Sequence, residues 1–221
     1  MNPILAAIAL VVAGGAVVTV ASRDARMTLL GLAVVLIGSA VLADPIPAPL
    51  GLAARFVGAI LATYLLWVVA REHPRAGVTA TSTGGSRIGF PAEALLAAAA
   101  LVVGFAAHGL GAPAVGSSFA SAAGFAVAAL AIAPTVTGRD VLRVGLGSLL
   151  LVDAGLLVRA ALGGTPDELE QLIATATLVV LAGTVATLAG SARAEGSGGF
   201  AFSLEDRGRR HREPDAHPLD G

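Results

Sequence analysis

Asp153 sits near the middle of an apolar run, residues 144–158, in a chain whose other ionised side chains stand at or near the margins of its hydrophobic stretches. A carboxylate at bilayer depth is unfavourable by roughly a few kcal/mol unless it is protonated, paired or wetted. The chemistry open to such a group is to take up and release a proton or a cation on a polar path between helices. The competing reading is a protonated or hydrogen-bonded acid that only fixes helix packing, with Ser148 about one turn away as its neighbour.

A second constellation lies at the mouth of the same run, where Arg139, Asp140 and Arg143 cluster. Their charge either retains a connection on the cytoplasmic side or docks a partner. Arg55 and Arg159 each lie about one helical turn inside the outer boundary of an apolar run, where a long side chain can snorkel to water. Both read as anchors. A pair between Arg159 and Asp153 is disfavoured, since six residues along one helix set them roughly 120° apart.

Other chemistries lack their residues. There is no cysteine, which removes thiolate-ligated iron–sulfur clusters and disulfides. The histidines, His73, His108, His211 and His217, have no helical spacing for a metal or haem site within a membrane, and His108 reads as a packing or interfacial residue. No phosphate loop, nucleophile elbow or zinc motif is present. The chain is therefore expected to have no active site, cofactor or metal of its own and no nucleic-acid partner.

The elements that must position Asp153 follow from composition. Of 221 residues, 56% are hydrophobic and 13% charged, with a mean hydropathy of +0.83, outside the range of a soluble domain. Continuous Ala/Leu/Val runs lack the two-residue alternation of barrel strands. The expectation is an all-α membrane protein with seven spans, about residues 2–22, 27–43, 51–70, 92–111, 117–136, 142–162 and 170–191, each close to the roughly 20 apolar residues that a crossing needs. Residues 1–195 form the bundle and residues 196–221 a flexible cytoplasmic tail whose Arg207, Arg209, Arg210 and Arg212 are offset by nearby acids.

The breaks between spans have local causes. Arg23, Asp24 and Arg26 close the first, and Asp44 with Pro45, Pro47 and Pro49 separates the second from the third. A polar segment, residues 71–89, follows the third. Gly109, Gly111 and Pro113 divide the uncharged stretch, and residues 134–140 end the fifth span. Thr165 and Glu168 have capping-box spacing and Pro166 suits a first helical position, so the seventh helix opens there, with Glu168 and Glu170 favoured by its dipole.

Arginines fall after spans one, three, five and seven: Arg23 and Arg26, then Arg71, Arg75 and Arg87, then Arg139 and Arg143, then Arg193 and the tail. Cytoplasmic connections are enriched in Lys and Arg, so the N-terminus is expected outside and the C-terminus inside. Twenty-eight glycines leave narrow helix faces that let membrane helices approach closely. Gly147 with Leu151 and Ala154, and Gly183 with Thr187, read as contact stripes, and Tyr64 and Trp67 as interface anchors.

The stretch Arg139-Asp140-Val141-Leu142-Arg143-Val144-Gly145-Leu146-Gly147, an intramembrane acid after it, and the helix opening Pro166-Asp167-Glu168-Leu169-Glu170 together resemble the E-type membrane subunit of hydrogenase-4 and formate hydrogenlyase complexes. The second half of that family is similar to the small K-type subunit of respiratory complex I. Ala54-Arg55-Phe56-Val57-Gly58-Ala59-Ile60 running to Tyr64, the ending Val69-Ala70-Arg71 and the segment Ile173-Ala174-Thr175-Ala176 extend the resemblance over most of the chain. Where the family usually has Glu-Asn-Gly in the sixth span, this chain has Asp153-Ala154-Gly155, and a further acid expected early in the last helix is replaced near Ala176.

The resemblance implies a non-catalytic, multi-pass subunit of the plasma membrane. Its partners would be antiporter-like membrane-arm subunits, a soluble hydrogenase-like arm reached through them, and the lipid bilayer. Its tasks would be assembly of the arm and a share in proton translocation through Asp153. The alternative is a stand-alone small transporter or scaffold. Transporters tend to show internal repeats, broken helices and several polar groups converging at mid-depth. One mid-depth acid and no clear repeat favour the subunit reading.

Overall fold

The computed structural model describes residues 2–22, 24–42, 48–71, 89–110, 114–138 and 140–194. Outside them lie Arg23, Asp44, Pro45, Pro47, His73, Arg75, Arg87, Gly111, Pro113, Arg139, His211, His217 and the tail from residue 196. Among the described residues the regular structure is entirely helical, in seven elements: α1 (Pro3–Ala21), α2 (Ala25–Val41), α3 (Pro49–Arg71), α4 (Phe90–Ala106), α5 (Ser118–Thr137), α6 (Val141–Gly163) and α7 (Glu168–Ala194).

Five of these, α1, α3, α5, α6 and α7, are long and apolar enough to cross a membrane, while α2 and α4 are apolar helices of 17 residues. Large apolar side chains stand exposed around the bundle, among them Leu10, Leu30, Ile60, Leu95, Val102, Ile132 and Val180. Exposed apolar surface on this scale needs a solvent other than water. The exterior is that of a membrane protein.

Short polar side chains start the helices. Asn2, Asp24, Ser117 and Asp140 each accept a hydrogen bond from the backbone N–H two residues on, filling donors that a helix leaves open at its first turn. At α7 the cap is Asp167, whose Oδ1 accepts from Glu170 N at 2.7 Å. The helix starts at Glu168, so Pro166 precedes it instead of opening it. Pro49, expected as a breaker, begins α3, where its missing N–H costs nothing. Pro134 lies inside the last turn of α5, and Gly138 N–H donates to its carbonyl.

Glycine contacts give the helix directions. In α1 and α2, Gly15 faces Gly31 and Val34 while Gly38 faces Val12, which is an antiparallel hairpin. Gly124 faces Val158 and Gly147 faces Ala131 and Thr135, so α5 and α6 are antiparallel too. Gly51 meets Gln171, Gly58 meets Thr175 and Gly183 approaches Leu65, so α3 runs parallel to α7. The contacts close a ring in the order α1, α2, α3, α7, α6, α5 and back to α1; α2 touches α6 across the ring, and α4 packs outside on α5 and α1.

The Gly147–Ala154 stripe lies against α5, with the Ala154 carbonyl close to Gly124. The second expected stripe is not a tight contact. Gly183 approaches nothing nearer than Leu65 at 3.9 Å from where its Cβ would be, and Thr187 is exposed. The close approaches of α7 are instead made by Gln171, Thr175 and Val185 against glycines of α3 and α6.

Candidate functional site: a buried carboxylate, guanidinium and hydroxyl

Asp153 is the thirteenth residue of α6, about 18 Å along the axis from Val141 and about 15 Å from Gly163. It is fully buried. Its side chain points into the ring, where α2 and α3 supply partners. Ser39 Oγ donates to Asp153 Oδ1 at 2.8 Å, and Arg55 Nη2 donates to the same oxygen at 3.1 Å. Ser39 comes from the last turn of α2, and Arg55 from six residues inside α3.

This placement corrects the reading of Arg55 as an outward anchor. Its side chain is 9% exposed and turned inward. A guanidinium at this depth has two ways to avoid an unpaired charge in a low-dielectric surround: snorkelling to water or pairing with an acid. Here the acid is within reach. Ser148, expected beside Asp153, donates instead to its own helix at Val144 O, and Ser39 takes the neighbouring position.

The Ser39 hydroxyl has one proton and two acceptors, since Leu36 O lies 3.1 Å from Oγ besides Asp153 Oδ1. When it donates to Asp153, its lone pairs face Arg55 Nη2 at 3.4 Å. Both partners therefore engage Oδ1. The other carboxylate oxygen, Oδ2, is buried with no hydrogen-bond partner. A buried ion pair is held by its Coulomb attraction against a large desolvation penalty, and an unengaged oxygen weakens that balance.

Arg159 behaves otherwise. It is 47% exposed and pairs with Glu170 at 3.0 Å across the α6–α7 turn, near the bundle's edge as an anchor should be. Asp140 caps α6 through Leu142 N. Arg143 Nη2 donates to Val20 O at 3.3 Å, filling a carbonyl left open at the end of α1. Both also line a cleft with Thr19, Thr28 and Pro134 that runs up α6 as far as Leu150. They lie on the face of the α1–α2 and α5–α6 turns, away from Asp153; their partner Arg139 lies outside the described residues.

Two further polar groups, Glu93 and His108, are buried at atoms without a partner. Glu93, in the first turn of α4, is 3% exposed and neither oxygen has a partner. His108, in the turn after α4, has a buried Nδ1 without one. A first-turn acid is favoured by the helix dipole, which accounts for Glu93 in sequence terms but not for its burial.

Among the described residues no three His, Asp or Glu side chains converge, so the chemistry of the cluster is that of one carboxylate held by one guanidinium and one hydroxyl. Such a cluster can exchange a proton at Oδ2 and, in doing so, change how tightly Arg55 is held. Compared with known proteins, the chain matches no family model, no curated protein and no solved structure.

Proposed function

We propose that the chain is a non-catalytic subunit of the membrane arm of a hydrogenase-4-like or complex-I-like oxidoreductase in the plasma membrane. It holds antiporter-like neighbours in register, and Asp153 takes part in proton translocation. The resemblance of residues 139–147 and 166–170 to the E-type subunits supports the family reading. The observation that carries the proton role is the Asp153–Arg55–Ser39 cluster, at mid-depth in an apolar bundle, with Asp153 Oδ2 unengaged.

The mechanism is a change of pairing. With Asp153 ionised, Arg55 is held at Oδ1. A proton arriving at Oδ2 neutralises the carboxylate, and the charge attraction that holds Arg55 is lost while the neutral hydrogen bonds remain. Arg55 is then free to move toward another acceptor, in this chain or a neighbour, and loss of the proton restores the pair. Electrons are handled entirely by partner subunits.

Asp153→Asn keeps the shape of the side chain and removes the exchangeable proton. In the assembled complex it is expected to lower proton-coupled activity while co-purification of the partner subunits from mildly solubilised membranes is unchanged. A variant complex that pumps protons or evolves gas at the normal rate makes Asp153 structural. Recovery of the unsubstituted chain alone, without antiporter-like or nickel–iron large-subunit partners, returns the case to a stand-alone transporter or scaffold.

A further inference from the structure

Three buried polar atoms without a hydrogen-bond partner lie on the adjacent helices α6 and α7: Gln171 Oε1, Thr175 Oγ1 and Asp153 Oδ2. Gln171 is 2% exposed. Its amide nitrogen donates to Pro166 O at 2.9 Å, and its Oε1 lies over Gly51, where a Cβ would collide with it. Thr175 is exceptional in kind. The other described threonine side chains within helices, Thr19, Thr28, Thr63, Thr135, Thr177, Thr184 and Thr187, each donate to a carbonyl three or four residues back.

The helix registers line these atoms up. Gly51 opposite Gln171 and Gly58 opposite Thr175 put Arg55 between them on the same face of α3. Gly145 opposite Val185, and Arg159 paired with Glu170, place Asp153 level with residue 176 or 177 of α7. From the α6–α7 turn inward, the unfilled groups therefore descend along the axis from Gln171 to Thr175 by about 6 Å and from Thr175 to the level of Asp153 by roughly 1.5–3 Å. Toward the opposite face the surroundings change in character. Leu32, Leu36, Leu146, Leu149 and Leu150 are all buried there, and the cleft from the α5–α6 turn stops at Leu150.

Buried polar groups in native proteins are satisfied by protein or by water, and a water needs two or more polar partners. Here the unfilled groups are spaced about a helical turn or less apart along the helix axis, and the α3 residues facing Gln171 and Thr175, Gly51 and Gly58, carry no side chain. We propose that the seam between α3 and α7 holds a short file of water from the α6–α7 turn to Asp153, so that the carboxylate exchanges protons with one face of the membrane only. The file stands on the three unfilled atoms. That it carries protons rests on the role proposed for Asp153.

The chain has no cysteine, so single-cysteine variants of the whole protein in its own membranes report without background. Thr175→Cys and Gln171→Cys, each a small change in shape, would be reacted with a small anionic, membrane-impermeant methanethiosulfonate. Reagent applied on the side of the α6–α7 turn is expected to label both at least tenfold faster than Leu178→Cys, which is buried one turn deeper, or Ile173→Cys, which faces lipid. Adding Gly51→Leu to Thr175→Cys is expected to slow its labelling about tenfold.

Labelling of Thr175→Cys no faster than Leu178→Cys, or equally fast from the opposite side, overturns the file. If Thr175→Cys does not accumulate, Gln171→Cys against Ile173→Cys decides by the same criterion. The two proposals fail separately: labelling that succeeds while Asp153→Asn leaves the complex fully active removes the proton role and keeps the water. A silent Asp153→Asn combined with unlabelled Thr175→Cys removes both.

Discussion

Asp153 and Arg55 are 98 residues apart in the chain and 3.1 Å apart in the fold, with their charges buried together near the centre of an apolar bundle. The pair joins α6 to α3, and Ser39 ties both to α2. Removing one partner leaves a naked charge where water is scarce. Removing both leaves only a packing problem, and this difference distinguishes the pair from ordinary polar contacts.

Arg55→Met and Asp153→Leu are each expected to destabilise the bundle by about 3–5 kcal/mol, because each strands the other charge. The double variant is expected to recover most of that loss. Thermal unfolding of the four proteins in one detergent closes the cycle. Additive losses would show that the two side chains do not interact.

Ser39→Ala removes one hydrogen bond to a charged group and leaves the ion pair standing. Its expected cost is about 1.5–3 kcal/mol, smaller than that of either charge deletion. The same unfolding measurement checks the order.

The exposed pair of Arg159 and Glu170, at 47% and 35% exposure, should behave as a surface contact. Glu170→Gln is expected to change stability by less than about 1 kcal/mol. A loss as large as that of Asp153→Leu would contradict the contrast between the two arginines.

Helix spacing gives a steric test. A Cβ at Gly58 would strike the Thr175 methyl, whereas one at Gly155 would meet nothing within 4 Å. Gly58→Leu is expected to separate α3 from α7 and abolish a monodisperse folded species, while Gly155→Leu is expected to leave gel-filtration behaviour and thermal midpoint unchanged.

The orientation proposed from the arginine bias has a labelling test. Ser22→Cys is expected to react only with reagent on the cytoplasmic side, and Val115→Cys only with reagent outside. The reverse pattern would invert the orientation inferred from Arg26, Arg71 and Arg143.

Much of the fold was legible in the residues because its causes are local. Seven spans were expected, and among the described residues seven helices are found, five of them long and apolar enough to cross a membrane, with most ends within a few residues, since apolar runs, prolines and short capping side chains act over one or two turns. The exceptions are local as well. Gly109, with φ 80°, lies in the turn that ends α4 at Ala106, short of the expected residue 111. Pro166, expected to open α7, precedes its first residue, Glu168.

Asp153 announced itself from sequence alone, since a charge inside a hydrocarbon-length run is anomalous wherever the helix packs. Its partners did not. Arg55 carried the same signal, a base inside an apolar run, but snorkelling and pairing are equally consistent with one helix taken by itself. Ser39 and Thr175 resemble every other hydroxyl in these helices. Composition and hydropathy thus determined the solvent, the helices and the one acid that needs an explanation. Which way Arg55 turns, which serine reaches Asp153 and which polar atoms share a seam were decided by the ring of helices, because those choices depend on distances between segments far apart in the chain.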